Sequence, residues 1–407
     1  MRTSRTLDLA PSLDAGTATT GVDVQEGGRG DGTVSRMATG FVPPIYPFER
    51  LAPLAAVAGA HEGGIVDLSI GTPGDPPPPA VVEALATSGA ERGYPPSVGS
   101  GPLREAAAAW FRRRLDVDVP TSAIAACIGS KELVAGTPHW LRLRTPDRDT
   151  VLYPAVSYPS YEMGAILAGC RAIPVPVDER WRLDVSAIDP ADAARALCLW
   201  SNTPGNPAGG LDDLEAVAAW GRANGVPVLS DECYVEFTWD GPRRSVLQTG
   251  LDGMLAVHSL SKRSSLAGVR AGFYAGDQDL VTYLSEVRKH AGFMVPGPAQ
   301  HAAAVALGDD THVEEQALRY HRRLERMRDV LRAAYDIDVP LPGGGLYLWA
   351  PAPDGDAWGL VERLATEAGC LASPGEFYGP DATGHVRLAM VVPDERLELV
   401  AGRLGVA

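Results

Sequence analysis

The stretch "AVHSLSKRSSLAGVRAGF", residues 256–273, places a small polar turn between two apolar runs. The first run ends at Ser259, the turn contains Lys262 and Arg263, and the second run opens with Arg270. A lysine that is buried without a partner is costly. Its position at the end of a strand-like run therefore indicates a specific chemical use, which the rest of the chain should identify.

Similar apolar runs alternate with helical stretches between residues 80 and 297. The runs are "AIAACIG", "TVLYPAV", "ALCLWSN", "VPVLSDE", "MLAVHSL" and "RAGFYAG". This alternation predicts an α/β layer with a mostly parallel sheet. A charged amphipathic helix is predicted over 314–335, and the strands "GGGLYLWAPA" and "HVRLAMVV" come after it in a smaller C-terminal part.

The chain has 407 residues, which is more than one ordinary core contains, so we expect more than one domain. We predict a disordered lead over 1–40, with Met37 as an alternative start, because this segment is polar and lacks the apolar core of a signal peptide. An N-terminal arm over 41–80 should join the small domain. The large domain is predicted over 81–297 and the small α+β domain over 298–407.

Composition excludes several classes of protein. The formal net charge of −15 argues against a general binder of nucleic acid or of anionic membranes. No apolar segment approaches the length of a membrane span. The five cysteines have no metal-ligand spacing, which predicts free thiols in a reducing cytoplasm rather than disulfides or a metal site.

Polar side chains come directly after most of the apolar runs. Because ligands bind beyond the carboxyl ends of parallel strands, we expect these side chains to surround one site. They are Ser130, Lys131, Tyr158, Asn206, Asp231, Tyr234, Ser259, Ser261 and Lys262, with Arg270 at the start of the next run.

The chemistry of this set is that of pyridoxal 5′-phosphate. The start of a helix at "GSKELV" favours a phosphate, and Ser259 and Arg270 add donors for the same dianion. A Schiff base between Lys262 and an aldehyde removes the cost of burying a free ammonium. Asp231 can pair with a protonated pyridine nitrogen, and the ring of Tyr158 can stack on the cofactor.

Taken singly, each residue also has a plainer interpretation. Asp231 can be a helix cap, Asn206 a turn residue and Lys262 a solvated loop lysine. Arg387 lies between apolar neighbours in "HVRLAM", where a structural ion pair is as plausible as a ligand. The joint order of the residues along the chain favours the cofactor site.

The chain resembles the fold type I pyridoxal-phosphate aminotransferases of classes I and II over residues 41–405. The resemblance is carried by "SLSKRSSLAGVRAGF", "NTPGNPAGG", "SDECYVEF" and "YPPSVGSGPLREA". It implies that Lys262 binds the cofactor covalently and moves a proton, that Asp231 holds the pyridine nitrogen, and that Asn206 and Tyr234 bind the phenolic oxygen. The phosphate ligands that it implies are Ser130, Lys131, Ser259, Ser261 and Arg270.

The resemblance also implies a substrate site and a second subunit. Arg387 should bind the substrate α-carboxylate as a bidentate pair, with Asn206 and the backbone of Gly71 beside it. Tyr94 should reach the phosphate of the neighbouring subunit, so a homodimer with shared active sites is expected. Neither nucleic acid nor a membrane is an expected partner.

Within the family, the chain most closely resembles the actinobacterial-type succinyldiaminopimelate aminotransferases of lysine biosynthesis. Segments such as "VDLSIGTPGDP", "VRKHAGFMVPGPAQ" and "PGEFYGPDATGHVRLA" carry this likeness. The chain departs from that group at Ser265, at Val269, in "GTPHWLRLR" (136–144) and in "PGGG" (342–345). We expect these departures to lie where a distal substrate group is recognised, which leaves the substrate open.

Two enzymatic hypotheses remain. The first is an aminotransferase that acts on a succinyldiaminopimelate-like amino acid and a 2-oxo acid such as 2-oxoglutarate. The second is a pyridoxal-phosphate enzyme of specialised metabolism that performs β- or γ-elimination, replacement or carbon–carbon bond formation. A transcriptional regulator is excluded because 40 polar residues without a helical pattern cannot form a DNA-binding domain.

Overall fold

The computed structural model describes residues 40–406, so the predicted lead over 1–40 lies, except for Gly40, outside the described residues. The strands are β1 (Val66–Asp67), β2 (Ile124–Cys127), β3 (Thr150–Pro154), β4 (Arg171–Val175), β5 (Ala196–Asn202), β6 (Val228–Asp231), β7 (Met254–Ser259), β8 (Gly272–Gly276), β9 (Tyr347–Pro351), β10 (Cys370–Leu371), β11 (Ser373–Pro374) and β12 (His385–Ala389).

Helices separate most of these strands, as the alternation in the sequence predicts. They are α1 (Ala52–Gly59), α2 (Pro79–Thr87), α3 (Gly101–Leu115), α4 (Ser130–Arg144), α5 (Ser160–Leu167), α6 (Pro190–Arg195), α7 (Leu214–Asn224), α8 (Leu260–Arg263), α9 (Gln278–His290), α10 (Gly297–Gly308), α11 (Thr311–Tyr335), α12 (Ala357–Ala368) and α13 (Asp394–Arg403). The helix predicted over 314–335 is α11.

The large sheet is mostly parallel, which confirms the predicted fold class. Within residues 40–406 it has seven strands in the order β2-β8-β7-β6-β5-β3-β4. Strand β8 runs antiparallel to both of its neighbours. Its first residue therefore lies at the edge where the neighbouring strands end. The central strands are buried along their whole length, as expected for a sheet that helices cover on both faces.

The C-terminal part has a separate, smaller sheet. In the described residues its strands β11, β12 and β9 are paired antiparallel, and β1 pairs with β10. Leu51, Val66 and Leu68 pack into the core of this part. The predicted arm over 41–80 thus contributes apolar side chains to the small sheet's core.

The domain boundaries stay a prediction, and one helix bears on them. Helix α10 begins at Gly297, where the predicted large domain ends. Ala299, Ala302 and Ala306 of this helix nevertheless pack in the apolar core of the large sheet. Residues from Ile45 onward form a single compact unit by their contacts.

Two further features concern the predictions from composition. No helix among residues 40–406 is both long enough and apolar enough to cross a membrane. All five cysteines lie in the described part of the chain and are free thiols. Cys127, Cys198 and Cys370 are buried, while Cys170 and Cys233 are half-buried.

Candidate active site

A cavity of about 450 Å³ lies at the edge of the large sheet where the parallel strands end. Most of the residues singled out in the sequence line it, because β2, β3, β5, β6 and β7 end at this edge and β8 begins there. Those residues are Gly71, Ser130, Lys131, Tyr158, Asn206, Asp231, Tyr234, Ser259, Ser261, Lys262, Arg270 and Arg387.

Hydrogen-bond donors converge at the first turn of α4. Gly129 precedes the helix with φ of +75°, a left-handed conformation that favours glycine, and it supplies no capping side chain. A Cβ at this position would lie 2.3 Å from Nη2 of Arg270. Glycine is therefore required for the guanidinium to approach the uncapped helix start, and the pair forms a site suited to an anion.

Two serines and the anchoring of Arg270 complete this end of the cavity. Ser259 and Ser261 are buried and their hydroxyl oxygens lie 2.9 Å apart. Arg270 has φ of 58°, and its guanidinium donates to the carbonyl oxygens of Ala267 at 3.0 Å and Ile128 at 3.2 Å. These backbone bonds hold the side chain of Arg270 against the start of α4.

Asp231 is the last residue of β6 and faces the cavity. The hydroxyl of Tyr161 donates to its Oδ2 at 3.0 Å, and the amide of Cys233 donates to Oδ1 at 3.2 Å. Removal from bulk water raises the pKa of the carboxyl group. A carboxylate in this position favours a cationic ligand in the cavity, since a positive charge would offset the cost of burial.

Lys262 lies in the short helix α8, one turn beyond β7. Burial, together with the positive charges of Arg387 and Arg270, lowers the pKa of its amine to about 8. Its Nζ donates to the carbonyl of Gly71. Among residues 40–406, this amine forms no ion pair with a carboxylate. An amine that is easily deprotonated is suited to attack an aldehyde and to move a proton.

Arg387 is 2% exposed and lies on β12. Its Nη1 donates to Oδ1 of Asn206 at 2.9 Å and its Nη2 to the carbonyl of Ser69. Its Nε has no hydrogen-bond partner within the described residues. A buried guanidinium without a carboxylate is suited to bind one from a ligand. The plainer interpretation, an ion pair within the chain, is not formed among residues 40–406.

A tyrosine cluster lines another part of the cavity. The hydroxyls of Tyr46 and Tyr158 lie 2.7 Å apart, and Nζ of Lys131 donates to Tyr46 at 2.9 Å and to Tyr158 at 3.4 Å. The ammonium of Lys131 also lies 4.7 Å from the centroid of the Tyr46 ring. Lys131 thus points its charge at these two phenols.

Two expectations about the site stay predictions. Tyr94 is 98% exposed and does not line the cavity, so its role across a subunit interface stays a prediction. The departures at Ser265, at Val269 and in 342–345 also lie outside the lining of this cavity, and their part in substrate recognition stays a prediction. Val269 packs on the core, and the backbone of 343–345 bonds instead to 237–240.

Segment 136–144, the fourth departure, belongs to the body of α4 and does not line the cavity either. By contrast, the structure adds lining residues that the sequence patterns did not mark. They are Tyr46, Phe48, Ile70, Thr72, Val134, Ser160, Tyr161, Asn202, Cys233, Ala267 and Tyr347. Asn202 and Cys233 could have been predicted from the sequence, since each lies in a motif already singled out.

The comparison with known families agrees with this geometry. Residues 64–404 match the model of the family described as aminotransferase class I and II. The chain belongs to the class I and II aminotransferases. Members of this family use pyridoxal 5′-phosphate, so the protein is an enzyme that depends on that cofactor.

Of two relatives similar to this chain, one has a name that gives a substrate and the other does not. The aminotransferase is 43% identical over 374 residues to a probable aminotransferase of Mycobacterium tuberculosis, which covers 89% of this chain and 85% of the relative. It is 42% identical over 369 residues to the 4-dedimethylamino-4-oxo-anhydrotetracycline transaminase of Streptomyces rimosus, with 89% and 99% covered.

Among solved structures, the aminotransferase is similar to a probable N-succinyldiaminopimelate aminotransferase of Thermus thermophilus. The TM-score is 0.78, the identity is 30%, and the match covers 88% of this chain and 98% of the other. Substrate-bound BacF of Bacillus subtilis matches with a TM-score of 0.81 at 27% identity, covering 89% and 95%.

The donor set of the cavity fits the cofactor. The uncapped start of α4 with Arg270 suits a phosphate, and the buried carboxyl of Asp231 suits a protonated ring nitrogen. Lys262 supplies an amine with a lowered pKa. When bound, pyridoxal phosphate acts as an electron sink for charge that develops at the substrate Cα.

Proposed function

We propose that the aminotransferase moves an amino group between a succinyldiaminopimelate-like amino acid and a 2-oxo acid such as 2-oxoglutarate. Each of these substrates is an α-carboxylate compound with an acidic group at its far end. The observation that carries the proposal is the presence in one cavity of two cationic groups, Arg387 and Lys131, in addition to Lys262 and Arg270, which are assigned to the cofactor. Arg387 is buried beside Asn206, whereas Lys131 lies between Tyr46 and Tyr158.

Arg387 is assigned to the α-carboxylate. Its guanidinium is anchored by Asn206 and the Ser69 carbonyl, while Nε remains without a partner in the described part of the chain. The anchoring fixes the plane of the guanidinium, which reduces the entropy lost when a carboxylate binds. The carboxylate would then lie near Lys262, the amine proposed to hold the cofactor and to move a proton at the substrate Cα.

Lys131 is assigned to the distal acidic group. Its ammonium is held by two phenol oxygens and by the Tyr46 ring rather than by a carboxylate. Phenols orient the charge without neutralising it, so the ammonium stays available for a dicarboxylate. This assignment differs from the role in phosphate binding that the sequence motif predicted for Lys131.

The remaining roles are assigned from positions around the cavity. Ser130, Ser259, Ser261 and Arg270 are proposed to bind the cofactor phosphate. Asp231 is proposed to keep the pyridine nitrogen protonated, and Asn206 and Tyr234 to hold the phenolic oxygen. The ring of Tyr158 and the backbone of Gly71 are proposed to enclose the cofactor and the substrate.

A second candidate comes from the tetracycline transaminase relative, whose name specifies a 4-oxo ring substrate. Phe48, Ile70 and Tyr347 give the cavity an apolar wall that suits a ring. In this candidate the enzyme is still a transaminase, but of specialised metabolism. Elimination, replacement and carbon–carbon bond formation stay hypotheses that neither the geometry nor the relatives favour.

Amino donors incubated with the purified holoenzyme, one at a time, test the proposal. The panel contains N-succinyl-LL-diaminopimelate, LL-diaminopimelate, glutamate and alanine, and the readouts are pyridoxamine absorbance and product mass. We expect the succinylated donor to react fastest and 2-oxoglutarate to restore the aldehyde form. If no dicarboxylic donor outperforms alanine, the proposal is refuted.

The variant Lys131→Gln tests the distal contact. We expect it to lower kcat/KM for dicarboxylic donors about 10- to 100-fold and to leave alanine within about twofold, since one charge-assisted hydrogen bond is lost. Lys289→Gln is the matched control, because Lys289 lies on the surface and pairs with Glu286 at 3.4 Å. An equal loss for alanine and for dicarboxylates would refute the assignment of Lys131.

The predicted homodimer and cytoplasmic location remain part of the proposal. In the dimer, Tyr94 would contact the phosphate in the partner's site, which agrees with its 98% exposure in a single chain. Sedimentation of the holoenzyme tests the dimer. Mixing a Tyr94→Ala chain with a Lys262→Ala chain tests sharing, because a mixed dimer then holds one site with neither change.

A further inference from the structure

Tyr347 touches three groups of the site, although the sequence patterns did not mark it as a site residue. It lies on β9 and is 2% exposed. Its hydroxyl is 2.8 Å from that of Tyr234, and its ring centroid is 4.4 Å from Cζ of Arg387. A Cβ on Gly71 would lie 2.3 Å from its hydroxyl oxygen, so the phenol lies directly against that backbone.

The contact between the two phenols restricts how their protons are used. Burial raises the pKa of both hydroxyl groups, so both stay protonated at neutral pH. Each phenol has one proton, and only one of the two can donate across the 2.8 Å contact. If Tyr347 donates to Tyr234, the proton of Tyr234 is free to point into the cavity.

The contact with Arg387 is of a different kind. The guanidinium carbon lies over the Tyr347 ring, and a second ring, that of Tyr378, lies 4.8 Å from the same atom. Aromatic faces attract a cation and limit its rotation. The ring of Tyr347 therefore acts on Arg387, while its hydroxyl acts on Tyr234.

We propose that Tyr347 is a positioning residue that orients the Tyr234 proton towards the cofactor's phenolic oxygen and supports Arg387 for the substrate carboxylate. The inference rests on the proposed roles of Tyr234 and Arg387. A chain of donors strengthens each of its members. Donation from Tyr347 therefore makes Tyr234 a better donor to the ionised phenolic oxygen, and this stabilises the deprotonated form of the bound cofactor.

Substitution at position 347 separates the two effects. Tyr347→Phe removes the hydroxyl and keeps the ring, so the pH midpoint of the bound cofactor's absorbance should rise by about 0.5 units. The dissociation constant of maleate, an unreactive dicarboxylate, should change less than about twofold, because the cation–π contact remains. Tyr347→Leu removes the ring as well and should also weaken maleate about tenfold.

Two further variants serve as controls. Tyr378→Phe is the same chemical change in a ring that contacts Arg387 but does not line the cavity, so the absorbance midpoint should stay in place. In a Tyr234→Phe background, Tyr347→Phe should no longer shift the midpoint, because the residue through which it acts is lost. An equal shift in both backgrounds would overturn the proposed coupling.

The test also works if Tyr347→Phe does not fold. Incorporation of 3-fluorotyrosine at position 347 makes the phenol a stronger donor, so the midpoint should fall instead of rising. No movement of the midpoint in either variant refutes the inference. These readouts need no amino substrate, so failure of the succinylated donor to react would refute the proposed function and leave this result in place.

Discussion

Lys262 and Arg263 are neighbours in one short helix, yet their side chains have opposite environments. Arg263 is 4% exposed, and its guanidinium bonds to Glu236 at 3.2 Å and to the Ala306 carbonyl at 2.7 Å. The amine of Lys262 faces the cavity and bonds to the carbonyl of Gly71. One cation is neutralised by the protein, and the other is left for a ligand.

Glu236, the acidic residue that pairs with Arg263, accepts hydrogen bonds from several groups. Glu236 accepts from Nε1 of Trp110 at 2.7 Å and from Arg114 at 2.9 Å as well as from Arg263. The charges of Arg263 and Arg114 outweigh the burial of Glu236 and lower the pKa of its carboxyl group. Burial instead raises the pKa of Asp231, whose hydrogen bonds in the described chain come from Tyr161 and Cys233. The difference shows which charges maintain the fold and which ones are available to a cofactor.

Removal of the amine of Lys262, the cation that faces the cavity, should have the largest effect, and that effect should be a loss of activity. We expect Lys262→Ala to lower turnover by at least about 10³-fold, because the proton-transfer group is lost. The apoenzyme's free energy of unfolding should not fall at neutral pH, since no ion pair is broken and the cost of burying a charged amine is removed. Turnover and urea unfolding of the same preparation measure both. Retained turnover would mean that another residue carries the chemistry.

Removal of the guanidinium of Arg263, the buried cation that pairs with Glu236, should mainly affect the stability of the fold. Arg263→Met should lower the free energy of unfolding by about 3 kcal/mol, because the buried Glu236 loses a partner. Arg243→Met is a matched control on the same acid, since the Arg243 side chain is 33% exposed and lies 3.3 Å from Glu236. We expect its cost to be under about 1 kcal/mol. Equal losses in the two variants would contradict the importance of burial.

The lowered pKa of Lys262 predicts a pH dependence for the apoenzyme. With a pKa of about 8, the amine should react with pyridoxal phosphate roughly tenfold faster for each unit that the pH rises towards 8, and the rate should then level off. Arg387→Gln should move this midpoint upward, because the positive charge of Arg387 helps to lower the pKa of Lys262. Stopped-flow absorbance at constant ionic strength measures the rate, and a midpoint above 10 would contradict the buried site.

The same group adds a term to stability that depends on pH. Its pKa is about 8 in the folded chain and about 10.4 when unfolded. The unfolded chain therefore binds more protons between these values, and the contribution of Lys262 to stability rises with pH in that window. The Lys262→Ala apoenzyme should lack this component of the rise.

The smallest effect is expected at Ser265, in the turn just beyond Lys262. Its φ is 54°, a left-handed conformation that Asn adopts more readily than Ser does. We expect Ser265→Asn to stabilise the protein by about 0.5 kcal/mol and Ser265→Ala to give no gain. Because Ser265 does not line the cavity, the preference among amino donors should stay unchanged. A change of preference would show that this turn contributes to recognition after all.

The sequence could predict those parts of the site in which a charged or polar residue lies at the end of a strand. Asp231, Lys262 and Arg270 lie at or next to strand ends of one sheet, so the order of the strands alone brings them together. Tyr46 and Tyr347 have no such signal. Tyr46 lies in the arm before α1 and Tyr347 at the start of β9, and only the packing of the two sheets brings both to the cavity.

The departures from the related group illustrate the same limit. Ser265 and Val269 are close in sequence to Lys262, which suggested that they lie near the substrate. The turn after α8 instead directs Val269 into the core, while the carbonyl of Ala267 binds Arg270. Distance along the chain is a poor guide once the backbone leaves a regular element, because a single left-handed residue changes the direction of the residues after it.

By itself the sequence determined the α/β fold class and the cofactor chemistry, because strand period and polar residues at strand ends depend on local chemistry. The family followed from the resemblance of its motifs. Tertiary structure alone decided which cations are neutralised, how Lys131 is oriented by Tyr46 and Tyr158, and that Tyr347 contacts Tyr234, Arg387 and Gly71. Those features depend on contacts between residues far apart in the chain, and burial sets their energies only after the chain has folded.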